Sequence, residues 1–323
     1  MLLNNHFSYA ENDVPVIFIP GLFGSMSNEI IPGTGDWGFG MAKLVYDPFI
    51  EILLKIGYKL NKDLFISFYD WRKSCQHSAR KYLSETIEHV KEITGSDMVN
   101  LICHSMGSLV ARAYIQSDFY EYDVDKMIII ATPNVGSPPS YSPCESGELP
   151  NSQNLGLNFI KLHIHESMLG LGDIYKNDKI EDIHTNFEAL YDLLPSSQYH
   201  NYLFYKEFDG AMALESYSKM KCKNIFLDEL NENINTIEKR GIDVTIIAEI
   251  GEKTMNFLHV VPSESEDTWA DGRVVGFTQA TDGDGNTVLN SAFSLEGEKY
   301  ILKGSHIDIL YKCEGILKKV LLK

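Results

Sequence analysis

The segment Met98-Val99-Asn100-Leu101-Ile102-Cys103-His104-Ser105-Met106-Gly107-Ser108-Leu109-Val110-Ala111-Arg112 governs the reading of the whole chain. Met98–Cys103 is a short apolar run of strand length, and Met106 to Gln116 reads as a helix. A serine therefore sits on an abrupt strand-to-helix turn, with a glycine two residues beyond it. Such a turn lifts the hydroxyl above a sheet edge and beside the free amides of a helix N-terminus, which favour a developing negative charge. An isolated serine here would be an ordinary helix N-cap. The strand before it, Gly107 after it and the helix that follows together point to Ser105 as a nucleophile. The usual pattern is Gly-x-Ser-x-Gly; Cys103 stands in the first glycine position and is small enough for a crowded turn.

Outward from that turn, strand-like runs alternate with helix-period segments. Val14–Ile19, Leu64–Phe68, Lys126–Ala131, Val244–Ile250 and Tyr300–Lys303 read as strands. His77 to Thr94 places Ala79, Leu83, Ile87, Val90 and Ile93 near one face of a helix, and Ile307–Leu322 reads as a closing helix. This alternation predicts an α/β fold with a mainly parallel sheet covered by helices on both faces. Between Pro133 and about Arg240 no strand pattern is evident. The first part of that span is rich in Pro, Ser and Gly and the later part in aromatics. A span of this length exceeds any ordinary connection. The expected division is a core from residues 1–132 and 241–323, with 133–240 inserted as a helical cap or lid.

A serine nucleophile needs a base, and in this strand–turn–helix architecture the chain order is Ser, acid, His. The chain has ten histidines, but after Asp284 only His306 remains, between the strand Tyr300–Lys303 and the closing helix. His259 lies in an apolar run and reads as a core or edge residue. His104 reads as a structural partner of the turn, since side chains of adjacent residues point apart. The acid is expected in Thr281-Asp282-Gly283-Asp284-Gly285-Asn286-Thr287-Val288, where the flanking glycines suit a tight turn presenting Asp284; Asp282 remains an alternative. The same loop begins like a calcium-binding EF-hand loop, but Thr287 stands where glycine is required and Phe293 where the bidentate Glu belongs. An oxyanion hole is expected from the amides of Leu22, in Pro20-Gly21-Leu22-Phe23-Gly24, and of Met106. Gly33-Thr34-Gly35-Asp36-Trp37-Gly38 matches a dinucleotide fingerprint in letters only, with no βαβ unit around it, and reads as a flap.

Of the 323 residues, 44% are hydrophobic and 23% charged, enough for a core of ordinary size. The net charge of −17 disfavours nucleic acid as a partner. Five scattered cysteines without a Cys-x-x-Cys pair suit a reducing compartment. No signal peptide is evident, nor any apolar run near the roughly 18 residues of a membrane span, so a cytoplasmic location without membrane insertion is expected. Neither cofactor nor metal is called for: His163, His165, Asp182, His184 and His200 lack the tight ligand spacing of a zinc site.

The chain resembles the α/β-hydrolase superfamily and, within it, the lecithin–cholesterol acyltransferase-like lipases and phospholipases. The resemblance rests on Val16-Ile17-Phe18-Ile19-Pro20-Gly21-Leu22, Tyr69-Asp70-Trp71-Arg72 and His104-Ser105-Met106-Gly107 with Leu109-Val110-Ala111-Arg112. It continues in Ala131-Thr132-Pro133 with Gly136-Ser137-Pro138, Gly283-Asp284-Gly285 with Thr287-Val288, and His306, all in family order. It implies Ser105 as nucleophile, Asp284 as acid, His306 as base, and the Leu22 and Met106 amides as oxyanion hole. The chain departs from the family where Asn286 is inserted into Gly-Asp-Gly-Thr-Val and where Ser108 replaces a glycine. Asp70-Trp71-Arg72 reads either as substrate positioning or as an ion pair bracing the tryptophan, the second being favoured. The expected function is hydrolysis of a lipid-like acyl ester through an acyl-enzyme. The alternatives are acyl transfer to an alcohol, short-chain ester hydrolysis, or a non-enzymatic binding role. Oligomeric state is not legible.

Overall fold

The computed structural model describes residues 14–146, 186–206, 210–263 and 268–322. Its centre is a six-stranded, all-parallel sheet of β1 (Val16–Ile19), β2 (Leu64–Ile66), β3 (Val99–His104), β4 (Val124–Ile130), β7 (Asp243–Ile250) and β10 (Glu298–Lys303). The spatial order is β10-β7-β4-β3-β1-β2.

Both faces of the sheet are buried over its inner strands because successive residues feed opposite cores, while edge strand β10 packs Tyr300 and Leu302 on one face and leaves Ile301 exposed on the other. Ile17, Ile19, Leu101, Cys103, Met127 and Ile129 join one cluster, packed by helix residues Leu83, Ile87, Leu109, Val110 and Leu227. Val16, Phe18, Ile102, Ile128 and Ile130 join the other, packed by Phe49, Leu53, Ile309 and Leu317. The helix expected over 77–94 runs from Cys75, where Ser74 Oγ accepts the His77 N–H at 3.2 Å, to Thr94, with a π turn at Ala79–Leu83. The closing helix is broken at buried Cys313 into Ile309–Lys312 and Glu314–Leu321.

The chain moves outward from β1 to β2, then returns across β1 to form β3 on its other side. The ends of β1 and β3 are adjacent, with Ile19 opposite Cys103. A crevice opens at such a switch of direction, at the carboxyl edge of the strands. The turn carrying Ser105, the loop from Pro20 and the loop holding His306 all leave the sheet at that edge.

A second sheet has the order β6-β5-β8-β9 and uses β5 (Leu203–Lys206), β6 (Met212–Leu214), β8 (Glu252–Val261) and β9 (Arg273–Gly283). The span 133–240, in which the sequence pattern suggests only helices, thus contains two strands beside the helices Ile225–Glu232 and Asn235–Lys239. Its sheet is completed by a hairpin from beyond residue 241. The pattern hides these strands for physical reasons. The register of β8 with β9 shifts at three places, which breaks the period of two, and edge strand β9 is exposed over most of its length. Tyr141, Leu194, Tyr202, Leu203, Leu258, Val260 and Trp269 form the core beneath this sheet.

Candidate active site

Ser105 has φ 53° and ψ −126°, a backbone conformation uncommon for a residue with a side chain. Its N–H donates to Ile130 O at 2.8 Å and its carbonyl accepts from Thr132 Oγ1 at 3.1 Å, so β4 holds the strained turn in place. Gly107 permits the turn: a Cβ there would lie 2.5 Å from both Ile19 O and Pro20 O. Gly21 is as constrained from the other side, since its Cβ would meet Ser105 Cβ at 2.9 Å.

Ser105 Oγ lies 3.0 Å from His306 Nε2, and His306 Nδ1 lies 2.8 Å from Asp284 Oδ2. A carboxylate facing Nδ1 takes that nitrogen's proton as its donor, which leaves Nε2 free to accept from the serine O–H. Asp284 Oδ1 accepts the N–H groups of Asn286 at 2.8 Å and Thr287 at 2.6 Å, so the carboxylate is fixed at both oxygens. Asn286, the inserted residue, is absorbed in this turn, and its carbonyl accepts from Ser137 Oγ at 2.6 Å. Asp284 is almost fully buried, whereas Asp282 is exposed on β9. The three residues brought together are Ser105, His306 and Asp284.

Leu22 and Met106 follow directly on Gly21 and Ser105, and a Cβ on Gly21 would lie only 2.9 Å from Ser105 Cβ. Neither amide N–H has an acceptor among the described residues. The Leu22 loop is shaped by Phe23, at φ 62°, whose ring packs on Trp71 with centroids 4.5 Å apart, and by the Gly24 N–H to Gly21 O bond of 2.9 Å. Tyr69 Oη donates to Pro20 O at 2.8 Å and Trp71 Nε1 to Ser25 O at 2.8 Å. Arg72 forks onto Asp70 at 2.8 and 2.7 Å and also donates to Glu29 O at 2.7 Å and Ile30 O at 3.3 Å. The Tyr-Asp-Trp-Arg element therefore braces the loop that carries the Leu22 amide, and its Asp–Arg pair reaches beyond the tryptophan.

Other candidates fall elsewhere. His259 lies in β8 with Nε2 2.9 Å from Thr278 Oγ1. Gly33 and Gly35 donate to Asn28 Oδ1 at 3.0 Å each, forming a turn that opens no helix. His163, His165, Asp182 and His184 lie outside the described residues; His200 is exposed, and no cluster of three His, Cys, Asp or Glu occurs among the described residues. No helix among the described residues is long and apolar enough to cross a membrane.

Sequence reasoning passed over Tyr46 and Glu249. Glu249 follows Ile247 on the same face of β7, and a carboxylate at an apolar-face position is a legible signal. Its two oxygens have no hydrogen-bond partner among the described residues, and burial pushes its carboxyl up to about 7 against the opposing pull of Lys312, 3.7 Å away. His104, buried beside Ser105, is kept neutral by burial first and by His306 second, which lower its pKa to about 3.

The fold is the α/β-hydrolase fold. Residues 39–171 match the family model described as lecithin:cholesterol acyltransferase. The chain is 25% identical to phospholipase A(1) LCAT3 of Arabidopsis thaliana over 197 residues, which are 57% of this chain and 41% of that protein. It is 33% identical to lecithin-cholesterol acyltransferase-like 4 of Arabidopsis thaliana over 85 residues, 25% of this chain and 16% of the relative. The matches thus span less than half the length of either curated relative. The fold is shared with the mature Bacillus licheniformis lipase BlEst2 (TM-score 0.52, 14% identity, 96% of this chain and 92% of that one). A chain of the Tle4–Tli4 complex is similar to the same degree (TM-score 0.55, 14% identity, 96% and 98%).

Proposed function

We propose that the protein is a serine hydrolase of lipid-like carboxylic esters, acting through an acyl-enzyme. The observation that carries this reading is the unbroken line from Ser105 Oγ through His306 to Asp284, at 3.0 and 2.8 Å, on a strained turn at the carboxyl edge of the sheet. In this mechanism His306 Nε2 takes the Ser105 proton as Oγ attacks the ester carbonyl. Asp284 holds the imidazole in the required tautomer and stabilises its cationic form. The Leu22 and Met106 amides receive the tetrahedral oxyanion; one such donor is typically worth about 2.7–4 kcal/mol of transition-state stabilisation. The imidazolium then protonates the leaving alcohol, and water repeats the sequence to release the acid.

The lipid-like substrate rests on the family match and on the name of the Arabidopsis thaliana phospholipase relative. Residues 133–240 are assigned the role of a cap on the core formed by 1–132 and 241–323, with a location in the cytoplasm. The test is kcat/KM on p-nitrophenyl esters from acetate to palmitate, with Ser105→Ala as blank. A maximum at long chains supports an acyl-lipid substrate, and a maximum at acetate or butyrate replaces it with a short-chain ester. Turnover surviving in Ser105→Ala overturns the nucleophile. The family model's acyltransferase description favours a second acceptor. Products formed with glycerol present distinguish water from an alcohol, because the acyl-enzyme is common to both.

A further inference from the structure

Four groups form a continuous hydrogen-bonded bridge beneath the site. The Gly21 N–H donates to Tyr46 Oη at 2.9 Å, and Tyr46 Oη lies 2.9 Å from His104 Nδ1. His104 Nε2 lies 3.0 Å from the backbone oxygen of His306. The directions are forced. The His306 carbonyl can only accept, so His104 Nε2 carries the proton and donates. In a neutral ring Nδ1 must then accept, and Tyr46, already accepting from Gly21, supplies its O–H. Both bridging side chains are almost wholly buried. The ring of His104 lies 5.0 Å from that of His306 and edge-on to Tyr46 at 5.8 Å.

The bridge joins two parts far apart in sequence. Gly21 precedes the loop amide assigned to the oxyanion, and His306 is the assigned base. Their relative placement decides whether the attacked carbonyl sits within reach of both. A misplacement of about 1 Å at such a site can cost on the order of 100-fold in rate. We propose that Tyr46 and His104 are positioning residues that set the Leu22 loop and His306 against one another. The proposal rests on the serine-hydrolase reading above. No proton moves along the bridge. Its neutral donor and acceptor pattern is the feature that works, and burial of His104 preserves it, since a cation there would repel the imidazolium forming on His306.

The test is Tyr46→Phe, which keeps the ring and removes only the hydroxyl, assayed on p-nitrophenyl butyrate. Affinity for a phenylboronic acid, which mimics the tetrahedral adduct, is measured in parallel. Expected are a fall in kcat of roughly 10- to 100-fold, KM unchanged within about twofold, and a fall in boronate affinity matching that in kcat. Tyr311→Phe is the control. It removes the 3.0 Å bond to Val45 O on the helix that also carries Tyr46, and it leaves all three readouts unchanged. His104→Gln can place its amide N–H2 where Nε2 donates to the His306 carbonyl, but it then has no acceptor at the position of Nδ1 for Tyr46. Combined with Tyr46→Phe, it adds little to the larger single loss if the bridge is one unit; it also carries the test should Tyr46→Phe fail to fold. A folded Tyr46→Phe with wild-type kcat, a kcat loss without loss of boronate affinity, or fully additive losses overturns the proposal. Turnover surviving in Ser105→Ala instead overturns the underlying reading, so the two failures are distinguishable.

Discussion

His306 is held to Asp284 twice: its Nδ1 lies 2.8 Å from Asp284 Oδ2, and its backbone N–H donates to Asp284 O at 2.9 Å. Asp282, two residues earlier, is exposed on β9. The expected outcome is that Asp284→Asn lowers kcat by on the order of 10³- to 10⁴-fold, by favouring the wrong tautomer of His306. Asp282→Asn is expected to stay within about twofold of the native enzyme, as a surface substitution away from the site does. Steady-state kinetics on both variants check this, and equal losses would move the acid role.

Gly107 follows Ser105 by two residues because the helix start presses on the end of β1. A methyl group there would lie 2.5 Å from two carbonyl oxygens. Backbone cannot yield as a flexible side chain does, so Gly107→Ala is expected to lower stability by about 1–3 kcal/mol or more. Gly38→Ala is the matched control, since its Cβ would meet nothing within 4 Å. Thermal melts of the two should differ by several degrees, and coincident melts refute the steric account.

Much of this was legible in the chain before any coordinates. Core strands such as Val99–His104 read clearly because a parallel strand buried on both faces is a continuous apolar run. His306 emerged as the candidate base from chain order and from its place between a strand and the closing helix. The choice between Asp284 and Asp282 did not, because both flank Gly283. In the structure Asp284 Oδ2 lies 2.8 Å from His306 Nδ1, whereas Asp282 is exposed on β9. The small sheet was illegible because β6 and most of β9 are exposed and the β8–β9 register shifts at three places, which leaves little alternation to read. Tyr46 and His104 were separate residues in the sequence, and their bridge joins positions 58 and 202 residues apart.

Arg72 holds the Leu22 loop through the carbonyls of Glu29 and Ile30 while forking onto Asp70. Lysine keeps the charge but not the planar fork, so Arg72→Lys is not conservative here. Hydrogen bonds to charged groups contribute roughly 1.5–3 kcal/mol each. Urea denaturation of Arg72→Lys should show a loss of at least about 1 kcal/mol, with kcat falling more than KM rises, because the loop carries the assigned oxyanion amide. An unchanged midpoint would show that the fork contributes no stability.

Glu249 gives a prediction whose sign depends on pH. Burial raises its carboxyl in the fold from the ordinary 4.5 to about 7 against the opposing charge of Lys312, with Asp308 and Asp284 adding to the rise and His306 opposing it. The native state therefore binds the proton more tightly than the unfolded chain does. Stability from this group is fully present below about pH 4.5 and is lost as pH rises through about 7. Above that pH the fold holds an ionised carboxylate whose oxygens have no hydrogen-bond partner among the described residues. Glu249→Gln removes the ionisation and leaves the shape. Relative to the native protein, the variant should gain stability between pH 4.5 and pH 8, by up to about 3 kcal/mol at one pKa unit per 1.36 kcal/mol. Melts of both proteins across that range check the slope. A difference between them that stays constant with pH would mean that Glu249 does not titrate in the fold as its burial requires.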